Sequence, residues 1–558
     1  MRRASIVFAA LVVVLATMAG VPGSAAPSSD GPKMAYSVLY QDGVSLDAGR
    51  AAVSAAGGTV VEVNKAVGLA RVESRNPAFL DDVARQPALY GAARNVPIGY
   101  APGIRPKDDG VERDRVVGSG APAAPSDEPD EDPLSGLQWD MDMIDADDDG
   151  SYAVQQGDPR VLVGIIDTGI DGHHPDIEPN FDANLSRNFT VDIPLVDGPC
   201  EEEPDMSCND PADVDEAGHG THVAGTVAAA LNGLGTIGVA PDVTLVNVRA
   251  GQDSGYFFLM ESVNALTYSG DIGIDVVNMS YFIDPWLYNC ADNPADSEAA
   301  QREQRTIIAA TQRALRYAHM KGVTLVAAEG NQATDLGHPT TDDISPDFPP
   351  GSEYHRDVDN SCLTLPAEGN HVIAVSALGP TMRKAYYSNY GVEQTTVSAP
   401  GGDRREYYGT PQWNAVENRQ LSTYPYLVAL ANGELNEDGT PNTPFVMRNC
   451  VDGVCAYYTW FQGTSMASPH AVGVAALIVS EYGTDDPAHP GGLTMQPNDV
   501  QQILEDTATD HRCPRPRLFH YPDPDLPPEI YDALCQGSAE FNGFYGHGIV
   551  NALAAVGG

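Results

Sequence analysis

Three stretches of this chain set acid–base or nucleophilic side chains among glycines and other small residues. In the first, the apolar run Val161 to Ile166 ends in Asp167-Thr168-Gly169-Ile170-Asp171. A carboxylate at the end of a strand, beside a tight glycine turn, can orient an imidazole. A lone Asp there also serves as a turn or helix cap. In the second, Gly218-His219-Gly220-Thr221-His222-Val223-Ala224-Gly225 opens a helical stretch, with His219 just before its N-terminus. The small residues let a neighbouring element approach closely. His219 and His222 have an H-x-x-H spacing, but lack the Glu of the H-E-x-x-H zinc pattern. In the third, Gly463-Thr464-Ser465-Met466-Ala467-Ser468-Pro469-His470 opens an Ala-rich helix that runs to Ser480. A Ser at a helix start is often an N-cap. It also lies where the helix dipole and free N–H groups favour developing negative charge.

Elements able to bring these stretches together begin near residue 137. Short apolar runs at 161–166, 244–248, 274–279, 323–328 and 372–377 suit strands buried on both faces. Helical stretches at 221–231, 299–320, 466–480 and 498–505 lie between and after them. This alternation predicts an α/β fold with a doubly wound parallel sheet, whose ligands bind beyond the carboxyl ends of the strands. Insertions at about 282–298, 333–361 and 402–460 are polar and rich in Gly, Pro, Asn and aromatic residues, and read as surface loops. Upstream, residues 33–104 read strand, helix, strand, strand, helix, strand, a ferredoxin-like α+β unit. Residues 105–136 are acidic, rich in Pro, Gly and Ala, and nearly devoid of large apolar residues, which predicts a flexible linker.

The D-T-G-I-D, H-G-T-H-V-A-G and G-T-S-M-A-S-P-H segments, in the chain order Asp, His, Ser, resemble the subtilisin-like (S8) serine peptidases. The resemblance covers roughly residues 137–556 and ends in Tyr545-Gly-His-Gly-Ile-Val-Asn551. It implies a peptidase domain over 137–558, with Asp167, His219 and Ser465 as the triad of an endopeptidase. The run Val323-Thr-Leu-Val-Ala-Ala-Glu-Gly-Asn331 matches the family's strand ending in an oxyanion-hole Asn, so Asn331 is assigned that role with the Ser465 backbone N–H. Asn278-Met279-Ser280 matches the strand that pairs with an extended peptide, which makes Ser280 and Gly330 substrate-binding candidates. Tyr281-Phe282-Ile283 stands where the family has Leu-Gly-Gly. These side chains either narrow the primary pocket or pack under the following insertion, and Glu329 adds a carboxylate nearby. The stretch Ala230 to Pro241 resembles the family's calcium loop, with Asp176 and Asn232 as ligands, although the family's glutamine ligand has no match. Calcium is therefore expected as a structural ion, with no cofactor for catalysis. By pattern and position, residues 27–104 resemble the family's inhibitory propeptide, and the processing site is expected within 105–136.

Composition sets the compartment and the partners. Seventy-seven acidic residues against 31 Lys and Arg give a formal net charge of -46, which repels nucleic acid and anionic membranes. Residues 1–26 read as a signal peptide: Arg2 and Arg3, an apolar run from Ile6 to Ala19, then Ser24-Ala25-Ala26 before cleavage. Eight cysteines fit an oxidising destination, and proximity suggests Cys200–Cys208, Cys450–Cys455 and Cys513–Cys535, leaving Cys290 with Cys362. The resulting expectation is a secreted monomer acting on peptide or protein substrates and bound by its own propeptide. The alternatives are a processing protease of narrow specificity and an inactive binding homologue.

Overall fold

A computed structural model of the chain describes residues 31–95, 110–115, 132–194, 196–204 and 206–558. The expected signal peptide at 1–26 lies outside these residues, as do 105–109 and 116–131 of the linker. The N-terminal unit has the expected order: β1 (Met34–Tyr40), α1 (Leu46–Ala55), β2 (Gly58–Asn64), β3 (Leu69–Ser74), α2 (Phe79–Val83) and β4 (Leu89–Arg94). Its antiparallel sheet runs β2-β3-β1-β4. Ser45 starts α1 by accepting a hydrogen bond from the Ala48 N–H. Val38, Tyr40 and Val72 face the unit's own helices through Val53 and Phe79.

The larger domain contains β5 (Leu162–Ile166), β6 (Arg187–Asn188), α3 (His219–Ala228), β7 (Thr244–Arg249), α4 (Leu259–Ile272), β8 (Val276–Met279) and α5 (Glu298–Met320). It continues through β9 (Thr324–Ala328), β10 (Val372–Leu378), β11 (Val397–Pro400), β12 (Gln420–Thr423), β13 (Val446–Val451), β14 (Val454–Phe461), α6 (Thr464–Tyr482) and α7 (Pro497–Thr507). Seven strands form a parallel sheet in the order β11-β10-β9-β8-β5-β7-β6. Residues along each strand alternate between two cores. Val163, Ile165, Leu245, Val276 and Val326 join the core of α3 and α6, while Ile166, Val246, Val277 and Leu325 join that of α4 and α5. Burial on both faces is why these strands read as continuous apolar runs. Leu39, Leu69 and Ala93 of the N-terminal unit enter the second core, so that unit's sheet docks on α4 and α5.

Several expectations need correction. His219 is the first residue of α3 rather than its predecessor, because Gly218 takes the N-cap with φ of 85°. Helix α4 escaped the sequence reading because nearly all of it is buried, leaving no polar stripe to show a period. The insertion at 402–460 is more than a surface loop. Strands β12-β14-β13 form an antiparallel sheet whose Leu421, Phe445, Tyr458 and Trp460 share a core with Leu134. Leu134 and Asp132 are buried, so residues 132–136, placed in the linker by composition, belong to the packed domain. The other two insertions are likewise packed together. Fully buried Arg356 pairs with Asp296 at 3.0 Å and with Asp342, and lies over the Trp286 ring. Their polar composition reflects charges paired inside the protein.

The disulfides are Cys200–Cys208, Cys290–Cys362, Cys450–Cys455 and Cys513–Cys535, the pairing that proximity suggested. Among the described residues, no helix is long and apolar enough to cross a membrane.

Candidate active site

The carboxyl ends of β5, β8 and β9 meet the N-termini of α3 and α6. Asp167 follows β5 directly and is fully buried. Its Oδ1 accepts from the Thr168 N–H at 2.8 Å and lies 2.7 Å from His219 Nδ1. A carboxylate on Nδ1 favours the tautomer with its proton there and leaves Nε2 as the acceptor. Helix α3 approaches β5 this closely because residue 220 is glycine. A Cβ there would stand 2.1 Å from Gly169 O and 3.0 Å from Asp167 Cβ.

Asp215 anchors the start of α3. Its Oδ1 accepts from the N–H groups of Ala217 (3.1 Å) and Gly218 (2.9 Å), and its Oδ2 from Thr221 N–H (3.0 Å) and Oγ1 (2.6 Å). A carboxylate here also complements the helix dipole. Sequence reasoning passed over Asp215, although an acidic residue just upstream of a helix is a usable signal. His222 does different work. Its Nε2 lies 3.3 Å from Gln420 O and 3.2 Å from Thr459 O, and its ring stacks on Phe461. Burial pulls it down to about 3. It is a neutral tie between α3 and the β12-β14 pair, not a metal ligand.

Ser465 stands in the first turn of α6. Its Oγ donates to Glu112 Oε1 at 2.6 Å and lies 3.5 Å from Ser280 O. Asn331 Oδ1 accepts from Thr464 N–H and Oγ1, both at 2.9 Å. That fixes the amide so that Nδ2 faces the cleft and donates to the same Glu112 Oε1 at 3.1 Å. Glu112 Oε2 lies 3.5 Å from His219 Nε2. One carboxylate from the linker therefore touches Ser465, Asn331 and His219 together. Its Oε1 marks an anion position within reach of both a hydroxyl and a fixed donor, the geometry that stabilises an oxyanion. Nothing in the acidic composition around Glu112 signalled this placement.

The cleft has a volume of about 370 Å³ and is lined by Ser254, Phe257, Tyr281, Phe282, Glu329 and Gly330 among others. Tyr281 stacks on Phe257, with ring centroids 4.1 Å apart. Phe282 lines the cleft and also packs on the apolar cluster of the flanking insertions, so both readings of these residues hold. Glu329 turns inward, its Oε2 3.2 Å from Thr395 Oγ1, and burial raises it well above the usual carboxyl range. The Ser280 hydroxyl meets Ser468 Oγ at 2.9 Å and Ser465 O at 3.1 Å, which ties β8 to α6. Gly330 donates its N–H to Thr464 Oγ1 at 3.0 Å.

The expected calcium residues also come together. Asn232 Nδ2 lies 3.2 Å from Asp176 Oδ1, and Tyr458 Oη donates to Asp176 Oδ2 at 2.7 Å. Asp132, missed because it sits in the acidic run, accepts from the Gly233 and Asn232 N–H groups. Burial pushes Asp176 up to about 8, with the charge of Asp132 adding to the effect. Elsewhere, Asp192, Asp210 and Asp253 cluster around the Arg249 guanidinium, which supplies their positive charge at 2.6 Å from Asp210 and 2.8 Å from Asp253.

A buried acid, an imidazole, a hydroxyl at a helix start and an amide donor are the parts of acyl transfer. The sequence profile of the Subtilase family, Peptidase_S8, matches residues 158–548. The chain belongs to this family. As a subtilase it is a serine endopeptidase that hydrolyses peptide bonds. Subtilisin DY of Bacillus licheniformis is 29% identical over 350 residues, 63% of this chain and 84% of its own length. The nisin leader peptide-processing serine protease of Lactococcus lactis subsp. lactis is 27% identical over 359 residues, 63% of this chain and 45% of its own. The chain thus spans less than half the length of that relative. Among solved structures, the epidermin leader peptide processing serine protease of Staphylococcus aureus shares the fold, with a TM-score of 0.60. Its identity is 20%, with 94% of this chain and 98% of that one covered.

Proposed function

We propose that the protein is a secreted, monomeric subtilase made as a zymogen, with Asp167, His219 and Ser465 as its triad and Asn331 in its oxyanion hole. The convergence of Ser465, His219 and Asn331 on one carboxylate carries this reading. In the mechanism, His219 Nε2 takes the proton of Ser465 Oγ as the oxygen attacks the substrate carbonyl carbon. Asp167 stabilises the imidazolium, and Asn331 Nδ2 donates to the tetrahedral oxyanion. The C–N bond then breaks, and His219 returns the proton to the departing amine. Water deacylates the enzyme by the reverse roles. Ser280 and Gly330 line the path of the acyl side of the substrate.

Residues 27–104 act as propeptide and inhibitor, and 105–136 contain the processing site. The four disulfides support an exported protein. Wild-type protein recovered from medium should begin within the linker and react with a fluorophosphonate. Ser465→Ala protein, expressed without another protease, should keep residues 27–104 attached and stay unlabelled. Normal maturation of that mutant would overturn self-processing.

Asp176 and Asp132 offer the hard oxygen donors that a structural calcium ion selects, and Asn232 joins them once its amide turns, since its Nδ2 faces Asp176 Oδ1 and its Oδ1 accepts from the Leu234 N–H. Two buried neighbouring carboxylates also favour a cation between them. Chelation should lower the thermal midpoint, and Asn232→Ala should abolish that response. Equal melting with and without chelator over long incubation would remove the site.

A second reading, a processing protease of narrow specificity, draws support from Phe282 and Leu287 of the 282–298 insertion, which line the cleft. The relatives named as leader peptide-processing proteases give it further support. A cleavage profile over an undigested proteome separates the two: many unrelated sites for a degradative enzyme, one restricted sequence pattern for a processing one.

A further inference from the structure

The linker residues that follow Glu112 lie against the insertion rather than against the sheet. Arg113 donates to Ala217 O and lies over the Phe461 ring. Asp114 pairs with Arg404, and its backbone carbonyl accepts from Arg419 Nη2 at 2.9 Å. Arg115 pairs with Glu434 at 2.6 Å over the Phe445 ring. Arg404, Arg419, Glu434, Phe445 and Phe461 all come from the 402–460 insertion or its final strand.

The two arginines are the unusual part. Arg404 is 3% exposed and Arg419 is fully buried, and they sit close enough to repel each other. Burial first, and then the neighbouring Arg404 charge, pull Arg419 down to about 10. Among the described residues, the carboxylate that Arg404 meets belongs to Asp114. Its other side-chain partner is the neutral Asn414 Oδ1, at 2.6 Å. A buried guanidinium without an anion is costly, because desolvation is not offset by a partner. The peptidase part of the molecule therefore leaves Arg404 dependent on a carboxylate from the segment that occupies the cleft.

That position has a meaning for the reaction. Glu112 reaches Ser465 and Asn331 with its side chain, and the chain then runs from Gln462 toward Arg404. The Gln462 N–H donates to Glu112 O at 3.4 Å and Gln462 Nε2 to Val111 O at 3.1 Å. The wall opposite, from Ser254 to Gly330, stays open to the acyl side of a substrate. The insertion thus borders the leaving-group side.

We propose that Arg404 forms a carboxylate-binding subsite on the leaving-group side of Ser465, beside Arg419, which holds the backbone carbonyl of the same residue; Asp114 fills it in the full chain and an acidic residue of the substrate during turnover. This rests on the proposed role of Ser465. Substrates with Asp or Glu a few residues past the scissile bond are favoured, and Lys there is rejected by both arginines. The shared chemistry is a carboxylate, which an acidic side chain or a free chain terminus can supply.

The test uses enzyme recovered after expression of the full chain, and peptides with one cleavable bond. Each of the first four positions after that bond carries Asp, Asn or Lys in turn, and each peptide is made as the free acid and as the amide. A fluorophosphonate titration run alongside counts active sites. The expected result is kcat/KM at least about tenfold higher for Asp than for Asn at one of those positions, with Lys lower still. A preference that survives amidation assigns the subsite to acidic side chains. A preference confined to free acids assigns it to chain termini, and both retain the carboxylate subsite. Arg404→Gln, with an unchanged melting temperature, should flatten the preference. Should that variant fail to fold, the peptide series decides alone. Equal rates for Asp, Asn and Lys at all four positions, in both forms, would overturn the proposal. Absence of labelling and of all cleavage would instead fault the role given to Ser465.

Discussion

The two walls of the cleft were built in different ways. One is the edge of the parallel sheet. Asp167, Ser280 and Asn331 each stand within a few residues of a strand's carboxyl end, held by backbone ladders buried on both faces. The other side, on which linker residues 113–115 lie, is an antiparallel sheet inserted between β11 and α6, with its own small core and its own charges. Chemistry gathers on the first wall because strand ends are rigid and convergent. The second holds the linker segment through charges, Asp114 on Arg404 and Arg115 on Glu434. The lesson is a division of labour: strand ends hold the candidate catalytic groups, and the insertion holds the segment that occupies the cleft.

The largest effect that would test this division is on the first wall. Ser465→Ala should lower kcat by about 10⁶, the scale known from subtilisin, a relative of this chain, while its melting curve stays in place. Retention of more than about one per cent of kcat would break the assignment. Asn331→Ala should cost about 10²–10³ in kcat with little change in KM, a magnitude also taken from subtilisin. A change confined to KM would move Asn331 out of the oxyanion hole. On the insertion side, Phe461→Ala should destabilise by about 3–5 kcal/mol, read as a lower midpoint in urea, since it empties a fully buried site against His222 and Tyr424.

Smaller effects sharpen the comparison through stability. Arg356→Met leaves Asp296 and Asp342 buried without their partner and should destabilise by about 3–5 kcal/mol, read as a lower midpoint in urea. At the amino end of the sheet, Asp275 accepts from the Leu162 N–H at 2.9 Å, and burial pushes it up to about 8. Its folded pKa lies above the unfolded value. Its contribution is therefore present below about pH 4 and is lost as pH rises through about 8. Asp275→Asn should be near neutral at pH 4 and stabilising by about 1–3 kcal/mol at pH 9, with kcat unchanged. A constant difference between the two pH values would mean that Asp275 does not titrate there.

The first wall was readable in the sequence and the second was not, for a physical reason. Strands buried on both faces leave unbroken apolar runs, and an active site at their ends leaves a residue and a glycine turn, as at Asp167 and Gly169. The pairing of His219 with Asp167, and the role of Gly220, follow from local constraints of that kind. Strands β12 to β14 instead mix Arg, Asn, Thr and Tyr, because one side faces α3 while the other covers a core of only a few residues. Such a segment has the composition of a loop. Glu112, Asp114 and Asp132 were hidden differently. In an acidic stretch no single carboxylate stands out, and only the partners across the chain, Ser465, Arg404 and Gly233, distinguish them.

The docking of the N-terminal unit on α4 and α5 has a kinetic consequence. Arg71 meets Glu261 at 2.8 Å, Arg94 meets Glu303 at 3.3 Å, Arg302 meets Asp81 at 2.7 Å, and Arg313 meets Asp42 at 2.9 Å. Two of these arginines come from each side, and most of the eight groups are at least partly exposed. Contacts of this kind weaken as mobile ions screen them over about 10 Å at 0.1 M. If the linker is cut as proposed, the unit should leave faster as ionic strength rises, which its release rate at two salt concentrations would check.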